Sequence, residues 1–80
     1  MTPMTLDQLP SGRGGTILEC RGDDELAQRL MEMGLMPGER VERLGAAPLG
    51  DPLEFRLHGT RLCLRRSEAA RIEIEADPGS

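Results

Sequence analysis

Residues 33–39 have the sequence MGLMPGE, which places two glycines and a proline within five positions. Gly34 follows an apolar helical pattern and predicts a left-handed residue that ends a helix, because glycine adopts this conformation without steric cost. Leu35 would then contact Leu30 in the last helical turn. Residues 36–39 fit a type II turn, with proline in the second position and glycine in the third. The stretch therefore predicts a helix stop followed by a rigid reversal.

The residues before this stop predict one amphipathic helix. Leu26, Leu30 and Met33 recur at i, i+4 and i+7, which is the spacing of a single helical face. Asp23 and Asp24 precede them and supply N-cap chemistry. We expect the apolar face to close one open end of a small barrel.

The remaining sequence predicts short strands separated by turn residues. His58 and Gly59 suit a two-residue hairpin turn. Ser67 is a candidate N-cap for a single helical turn. The predicted strands cover residues 15–20, 40–46, 53–57, 61–65 and 72–74. The fold class is therefore mainly β: a small SH3-like or OB-like barrel of about five strands, with one helix inserted after the first strand. Residues 1–75 would form a single domain and residues 76–80 a flexible tail.

A second rigid turn is predicted at residues 47–52, where two prolines and a glycine restrict the backbone. Both rigid turns carry apolar side chains. One interpretation is that Leu35 and Leu49 cap the core. The other is that Met36 and Leu49, beside an exposed Arg29, form a preorganised contact patch. The candidate contact residues are Arg29, Leu35, Met36, Pro37, Leu49 and Asp51. The turn residues that would hold them are Gly34, Gly38, Pro48, Gly50 and Pro52.

Composition limits the classes of function. The chain has 80 residues, a net charge of −4 and one aromatic residue, Phe55. The acidic balance and the lack of Trp and Tyr disfavour nucleic-acid binding and aromatic-lined peptide grooves. No secretory signal is visible, and no apolar run approaches the roughly 18 residues of a membrane span. These features predict a cytoplasmic protein with reduced thiols.

Apart from carboxylates, few residues could ligate a metal: His58, Cys20, Cys63, Met31, Met33 and Met36. The histidine occupies a predicted hairpin turn, where a positive φ favours this residue type. Both cysteines fall in strand-like stretches, where a free cysteine packs as a small buried hydrophobe. The methionines suit packing in the core or at its rim. We expect no catalytic residue and no cofactor, and at most weak binding of transition metals.

Residues 29–38, 47–52 and 64–72, with the lead-in at 6–12, resemble the FeoA family of accessory proteins in bacterial ferrous iron uptake. The resemblance covers about residues 5–75. It implies an SH3-like barrel with an inserted helix. It also implies a cytosolic partner, the FeoB-type membrane transporter with its N-terminal GTP-binding domain. Arg43 departs from the pattern, since an apolar strand residue is common there, and predicts a distorted or rim-exposed position.

The function expected from the sequence is a non-enzymatic interaction module that supports ferrous iron transport. An autonomous metal-binding or metal-sensing barrel is the alternative, and a nucleic-acid-binding barrel is a weaker one. Metal titration of the reduced protein separates the first two interpretations. An arginine patch with salt-dependent binding would favour the third.

Overall fold

Six strands form one antiparallel sheet in the computed structural model, which describes residues 3–78. The strands are β1 Met4–Thr5, β2 Gly14–Cys20, β3 Arg40–Ala46, β4 Leu53–Leu57, β5 Thr60–Leu64 and β6 Ile72–Ala76. Their order in the sheet is β1-β6-β2-β3-β4-β5. The helices are α1 Glu25–Glu32 and α2 Arg66–Ala69, and a 3-10 turn covers Leu6–Gln8.

The predicted fold class is right at the level of a mainly β domain, but the strand count and the closure of the sheet differ. The sheet has six strands instead of about five, and the short helix α2 follows β5 where a single helical turn was predicted. Within residues 3–78, β5 and β1 do not pair, so the sheet is not a closed barrel. The missed strand is β1, whose two residues pair with Ile74 and Glu73. A two-residue strand carries no alternation from which it could be predicted.

Helix α1 begins at the predicted cap. The Asp24 carboxylate accepts the Ala27 backbone N–H at 3.2 Å, and the Arg71 guanidinium donates to both of its oxygens. Hydrogen bonds from Arg71 first, and from Ala27 second, hold the pKa of Asp24 below its usual range. The predicted apolar face is only partly right. Leu30 is buried, whereas Met33 is 45% exposed and does not close the core.

The helix ends as predicted. Gly34 has a φ of +103°. The Leu35 N–H donates to the Leu30 carbonyl at 3.2 Å, and the Gly34 N–H donates to the Met31 carbonyl at 2.9 Å. These two bonds define a Schellman ending and satisfy carbonyls that the helix leaves free. The chain then turns back, with its direction set by the glycine.

The turn after the helix also has the predicted type. Gly38 has a φ of +92°, and the Glu39 N–H donates to the Met36 carbonyl at 3.1 Å. Ile17 in β2 exchanges two backbone bonds with this turn, each of 2.8 Å, to the Gly38 N–H and the Glu39 carbonyl. The turn is therefore fixed to the sheet before β3 begins.

The core contains an unexpected arginine. Arg43 is 8% exposed, and its guanidinium donates to the Leu9 carbonyl at 2.7 Å and to the Gly45 carbonyl at 2.8 Å. Its guanidinium carbon also lies 6.0 Å from the centre of the Phe55 ring. The β3–β4 register shifts between Arg43 and Gly45. The predicted distortion is confirmed, but rim exposure is wrong, because backbone carbonyls accept the buried charge.

The apolar core around this arginine combines the lead-in, one helix face and the inner face of the sheet. Its members are Leu6, Leu9, Ile17, Leu30, Leu35, Val41, Leu53, Phe55, Leu57, Leu64, Ala69, Ile72 and Ile74.

The hairpin and the chain end complete the fold. His58 and Gly59 have φ values of 54° and 76°, as the predicted two-residue turn requires. The predicted tail begins too early, since Ala76 still belongs to β6. Asp77 donates its N–H to the Gly14 carbonyl and accepts two hydrogen bonds from Arg40. Residues 79–80 of the predicted tail lie outside the described residues.

Candidate interaction surface

The two leucines of the rigid turns have opposite environments. Leu35 is fully buried, so its assignment to a partner contact is wrong and the core-capping interpretation is right. Leu49 is 97% exposed, so the core-capping interpretation is wrong for this residue. Leu49 lies in the loop after β3 and points away from the core, whereas the Schellman ending of α1 directs Leu35 into the core.

The structure also separates the proposed contact residues. Met36 precedes β3 and Leu49 follows it. A strand of this length spans about 20 Å, given roughly 3.3 Å per residue. Arg29 lies exposed on α1, before the Met36 turn. Met36 and Leu49 therefore flank opposite ends of β3, and we treat the two turns as separate candidate surfaces.

The first end presents a helix surface, which we define as Arg29, Met33, Met36 and Pro37. Met33 and Met36 are 45% and 48% exposed. A shallow groove of about 400 Å³ runs beside them and is lined by Gln28, Met31, Glu32 and Met36. The methionines thus lie at the rim of the domain, where their flexible side chains can adapt to a partner.

The second end presents a loop surface, which we define as residues 47–52. The Asp51 carboxylate accepts the Arg66 N–H at 2.9 Å, and the Arg66 Nε donates to the Gly50 carbonyl at 2.7 Å. The Gly50 N–H donates to Ala47 within the loop, and Gly50 has a φ of +87°. The loop is thereby attached to the start of α2 while Leu49 at its tip stays exposed.

This attachment corrects the predicted cap of α2. Ser67 lies inside the helix and is exposed, so its N-cap assignment is wrong. The Asp51 carboxylate instead accepts the Arg66 N–H, and the Glu68 carboxylate accepts the Arg65 N–H at 2.7 Å. Asp51 is fifteen positions away from Arg66, and no local pattern in the sequence indicates that contact.

A hollow of about 430 Å³ adjoins the loop surface and is lined by Asp51, Pro52, Cys63, Arg65 and Glu68. Cys63 is exposed there, so the prediction that it is buried is wrong. Cys20 is half-buried, and burial raises the pKa of its thiol. The alternation of β5 could have indicated this exposure, because Cys63 lies on the face opposite Leu62 and Leu64, together with Arg61.

Metal-ligating residues do not converge in the described part of the chain. The His58 Nε2 lies 2.5 Å from a Glu39 carboxylate oxygen at the hairpin turn. No group of three or more His, Cys, Asp or Glu side chains within residues 3–78 is arranged to hold a metal ion. None of the helices formed by these residues combines the length and the apolar character that a membrane crossing requires.

The inserted helix and the six-stranded antiparallel sheet define a small domain of the SH3-like class. A FeoA-like protein from Clostridium acetobutylicum has the same fold, with a TM-score of 0.91 and 30% identity over 100% of this chain and 94% of that one. Zinc-complexed FeoA from Stenotrophomonas maltophilia gives a TM-score of 0.79 and 34% identity, over 90% of this chain and 89% of that one. That protein is described as an SH3 domain protein and a candidate ferrous iron transport activating factor.

The chain belongs to the FeoA domain family, whose model matches residues 4–76. The family predicted from the sequence motifs is therefore confirmed. A Porphyromonas gingivalis protein, in which Fe(2+) transport protein A is fused to the Fe(2+) transporter FeoB, is 35% identical over 72 residues. The match covers 90% of this chain but 8% of the fusion protein, so the chain spans less than a tenth of that relative.

Proposed function

We propose that this chain is a cytoplasmic, non-enzymatic accessory protein of ferrous iron uptake that binds the cytosolic part of a FeoB-type transporter. The observation that carries the proposal is the fusion of a similar domain to FeoB in one relative. A covalent link keeps two modules at a high effective concentration. A domain of this family that is not fused to the transporter would have to reach it through a binding surface of its own.

The exposed residues of the domain suit such binding. Leu49 projects from a loop whose base is fixed by Asp51 and Arg66, so little backbone freedom remains to be lost on association. Apolar anchors flanked by arginine are common at the energetic centres of interfaces. The loop surface is therefore our first choice for the transporter contact, and the helix surface with Arg29, Met36 and Pro37 is the second.

Co-purification from membranes tests the proposal. The tagged chain is mixed with membranes that contain the transporter of the same organism, and the retained transporter is quantified. We expect retention by the natural chain, and a loss with Leu49→Asp at an unchanged thermal midpoint. Leu18→Asp on β2 is the matched control, since Leu18 is also an exposed large apolar residue, at 39% exposure.

Two outcomes would change the proposal. Absence of retention by the natural folded chain would overturn the transporter contact. Retention that falls with Met36→Asp instead of Leu49→Asp would move the contact to the helix surface, at the other end of β3. Measurement of iron uptake in cells that lack the chain, with each variant restored, checks that the contact matters for transport.

An autonomous metal-binding function is the second candidate, favoured by the zinc complex of the Stenotrophomonas maltophilia relative. Under our proposal the chain acts without a resident metal. Titration of the reduced chain with Fe(II) and with Zn(II) should therefore show weak binding that His58→Ala and Cys20→Ser do not change. Tight 1:1 binding that either substitution abolishes would favour the metal-binding alternative.

A further inference from the structure

The sheet ends in an open edge at β5. Within residues 3–78, β5 is the last strand in the order and pairs with β4 alone. Leu57 and Thr60 flank the two-residue turn and exchange backbone hydrogen bonds with each other. Further along the two strands, non-hydrogen-bonded pairs alternate with hydrogen-bonded pairs. Leu62 and Leu64 therefore direct their N–H and C=O groups to β4. The same groups of Arg61 and Cys63 point away from the sheet and are available to another strand.

The outer face of this edge carries two arginines, Arg61 and Arg65, that lack an ion-pair partner within residues 3–78. Arg61 lies directly opposite Arg56, which is a repulsive cross-strand pair. Arg56 has a carboxylate partner, since its Nη1 lies 3.3 Å from Glu42. Arg61 and Arg65 form no ion pair with any residue between 3 and 78. This is notable in a chain with a net charge of −4.

The carboxylates near the edge form no ion pair with Arg61 or Arg65. Asp51 and Glu68 accept the backbone N–H groups of Arg66 and Arg65. Glu54 faces Cys63 across the ladder, diagonal to Arg61 and Arg65, and no ion pair with either is formed. Two arginine side chains therefore flank the free backbone groups, and neither has an ion-pair partner among residues 3–78.

A second copy of the chain does not fit this edge well. Antiparallel pairing of two β5 strands would gather Arg61 and Arg65 from both copies on one face, and like charges close together destabilise strand pairing. Charged residues on an edge commonly serve to prevent such self-association. The same charges attract an extended segment with carboxylates on every second residue, because side chains alternate along a strand.

We propose that β5 accepts an extended acidic segment of the transporter's cytosolic part as a seventh strand, which rests on the proposed function. Main-chain bonds to Arg61 and Cys63 supply the pairing, and carboxylates on one face of the segment meet Arg61 and Arg65. Side chains on its other face cover Leu62, which is only half-buried. The segment would reach the hollow beside Asp51 and so adjoin exposed Leu49.

Charge reversal at β5, together with amide hydrogen exchange of its backbone, tests whether a seventh strand is added. We expect the double substitution Arg61→Glu with Arg65→Glu to weaken binding of the purified transporter about tenfold or more, because two carboxylates then face the acidic segment. Arg13→Glu is a control, since Arg13 is exposed and lies outside β5. Amide hydrogen exchange at Arg61 and Cys63 should slow when the transporter binds the natural chain.

A backbone variant checks that pairing, and not charge alone, holds the segment. Cys63→Pro removes an outward N–H at an edge position that tolerates proline, whereas Cys63→Val keeps it. Binding should fall with proline and persist with valine. If Cys63→Pro unfolds the chain, the exchange rates of the two amides decide the question in the natural protein.

The outcomes separate this inference from the proposed function. If the transporter binds, and the charge-reversed chain binds equally while both amides exchange freely, the seventh strand is overturned and the accessory function stands. If the transporter does not bind at all, the proposed function fails. A synthetic peptide of alternating glutamate and valine is then the probe, with a lysine–valine peptide as its control. Slowed exchange with the acidic peptide alone supports the acceptor edge, and no slowing overturns it.

Discussion

The turns at residues 35–38 and 48–52 have similar sequences and opposite positions relative to the core. Each combines leucine, proline and glycine, and each contains a glycine with a positive φ, at Gly38 and Gly50. Leu35 in the first is fully buried, and Leu49 in the second is 97% exposed. Similar backbone rigidity therefore serves the core in one turn and an exposed surface in the other.

What precedes each turn explains the difference. Leu35 follows a helix whose Schellman ending returns the chain toward Leu30, so the leucine packs inside. Leu49 follows β3, which lies inside the sheet between β2 and β4, and the loop after β3 is bound from the outside by Arg66. A rigid turn can therefore be buried or exposed. The direction in which the preceding helix or strand delivers the chain decides which of the two occurs.

Loss of the buried leucine should have the largest effect. We expect Leu35→Ala to lower the free energy of unfolding by about 3 kcal/mol, because it removes a fully buried side chain and leaves a cavity. Urea denaturation of this variant beside Leu49→Ala measures the contrast. Equal midpoints for the two variants would show that the core position of Leu35 is wrong.

Substitution of Gly34 at the helix end and of Gly50 in the second turn should give the next largest loss of stability. Gly34→Ala and Gly50→Ala each place a side chain at positive φ and should cost about 1 kcal/mol. Gly34→Ala should cost more, since an added Cβ would lie 3.2 Å from the Leu57 side chain, whereas at Gly50 the nearest atom is 3.8 Å away on Arg66. Thermal midpoints give the order, and a larger loss at Gly50 would contradict it.

The bond that attaches the second turn to α2 should contribute less. Asp51→Ala removes the acceptor of the Arg66 N–H and should lower the free energy of unfolding by about 1 kcal/mol or less. Asp51→Asn keeps an acceptor oxygen and should restore most of the loss. If the asparagine variant is as unstable as the alanine variant, the hydrogen bond is not what stabilises this region.

The exposed leucine should matter least for stability. We expect Leu49→Asp to shift the free energy of unfolding by no more than about 0.5 kcal/mol, because the side chain contacts solvent. Thermal denaturation beside the natural chain measures this. A shift as large as that of Leu35→Ala would show that Leu49 packs against the core.

The sequence predicted the features that depend on neighbouring residues. The Asp24 cap, the Gly34 helix stop and the His58 hairpin turn each rest on contacts or backbone angles within a few positions. The strands at Arg40–Ala46 and Leu53–Leu57 have the predicted bounds, since residue content and alternation mark them locally.

Features set by distant residues could not be predicted in the same way. The contact between Asp51 and Arg66 spans fifteen positions, and the Arg43 contact with Leu9 spans thirty-four. The placement of Met36 and Leu49 at opposite ends of β3, in contrast, could have been inferred from the sequence, because the predicted strand at residues 40–46 lies between them.

Binding by the Leu49→Ala variant tests most directly whether the second turn serves a partner while the first serves the core. The affinity of the purified transporter for the natural chain and for Leu49→Ala is measured in detergent, and the thermal midpoint of each chain is recorded. We predict an unchanged midpoint and a loss of affinity of about tenfold, as expected for an apolar anchor at an interface. Full affinity in a folded Leu49→Ala chain would contradict this prediction.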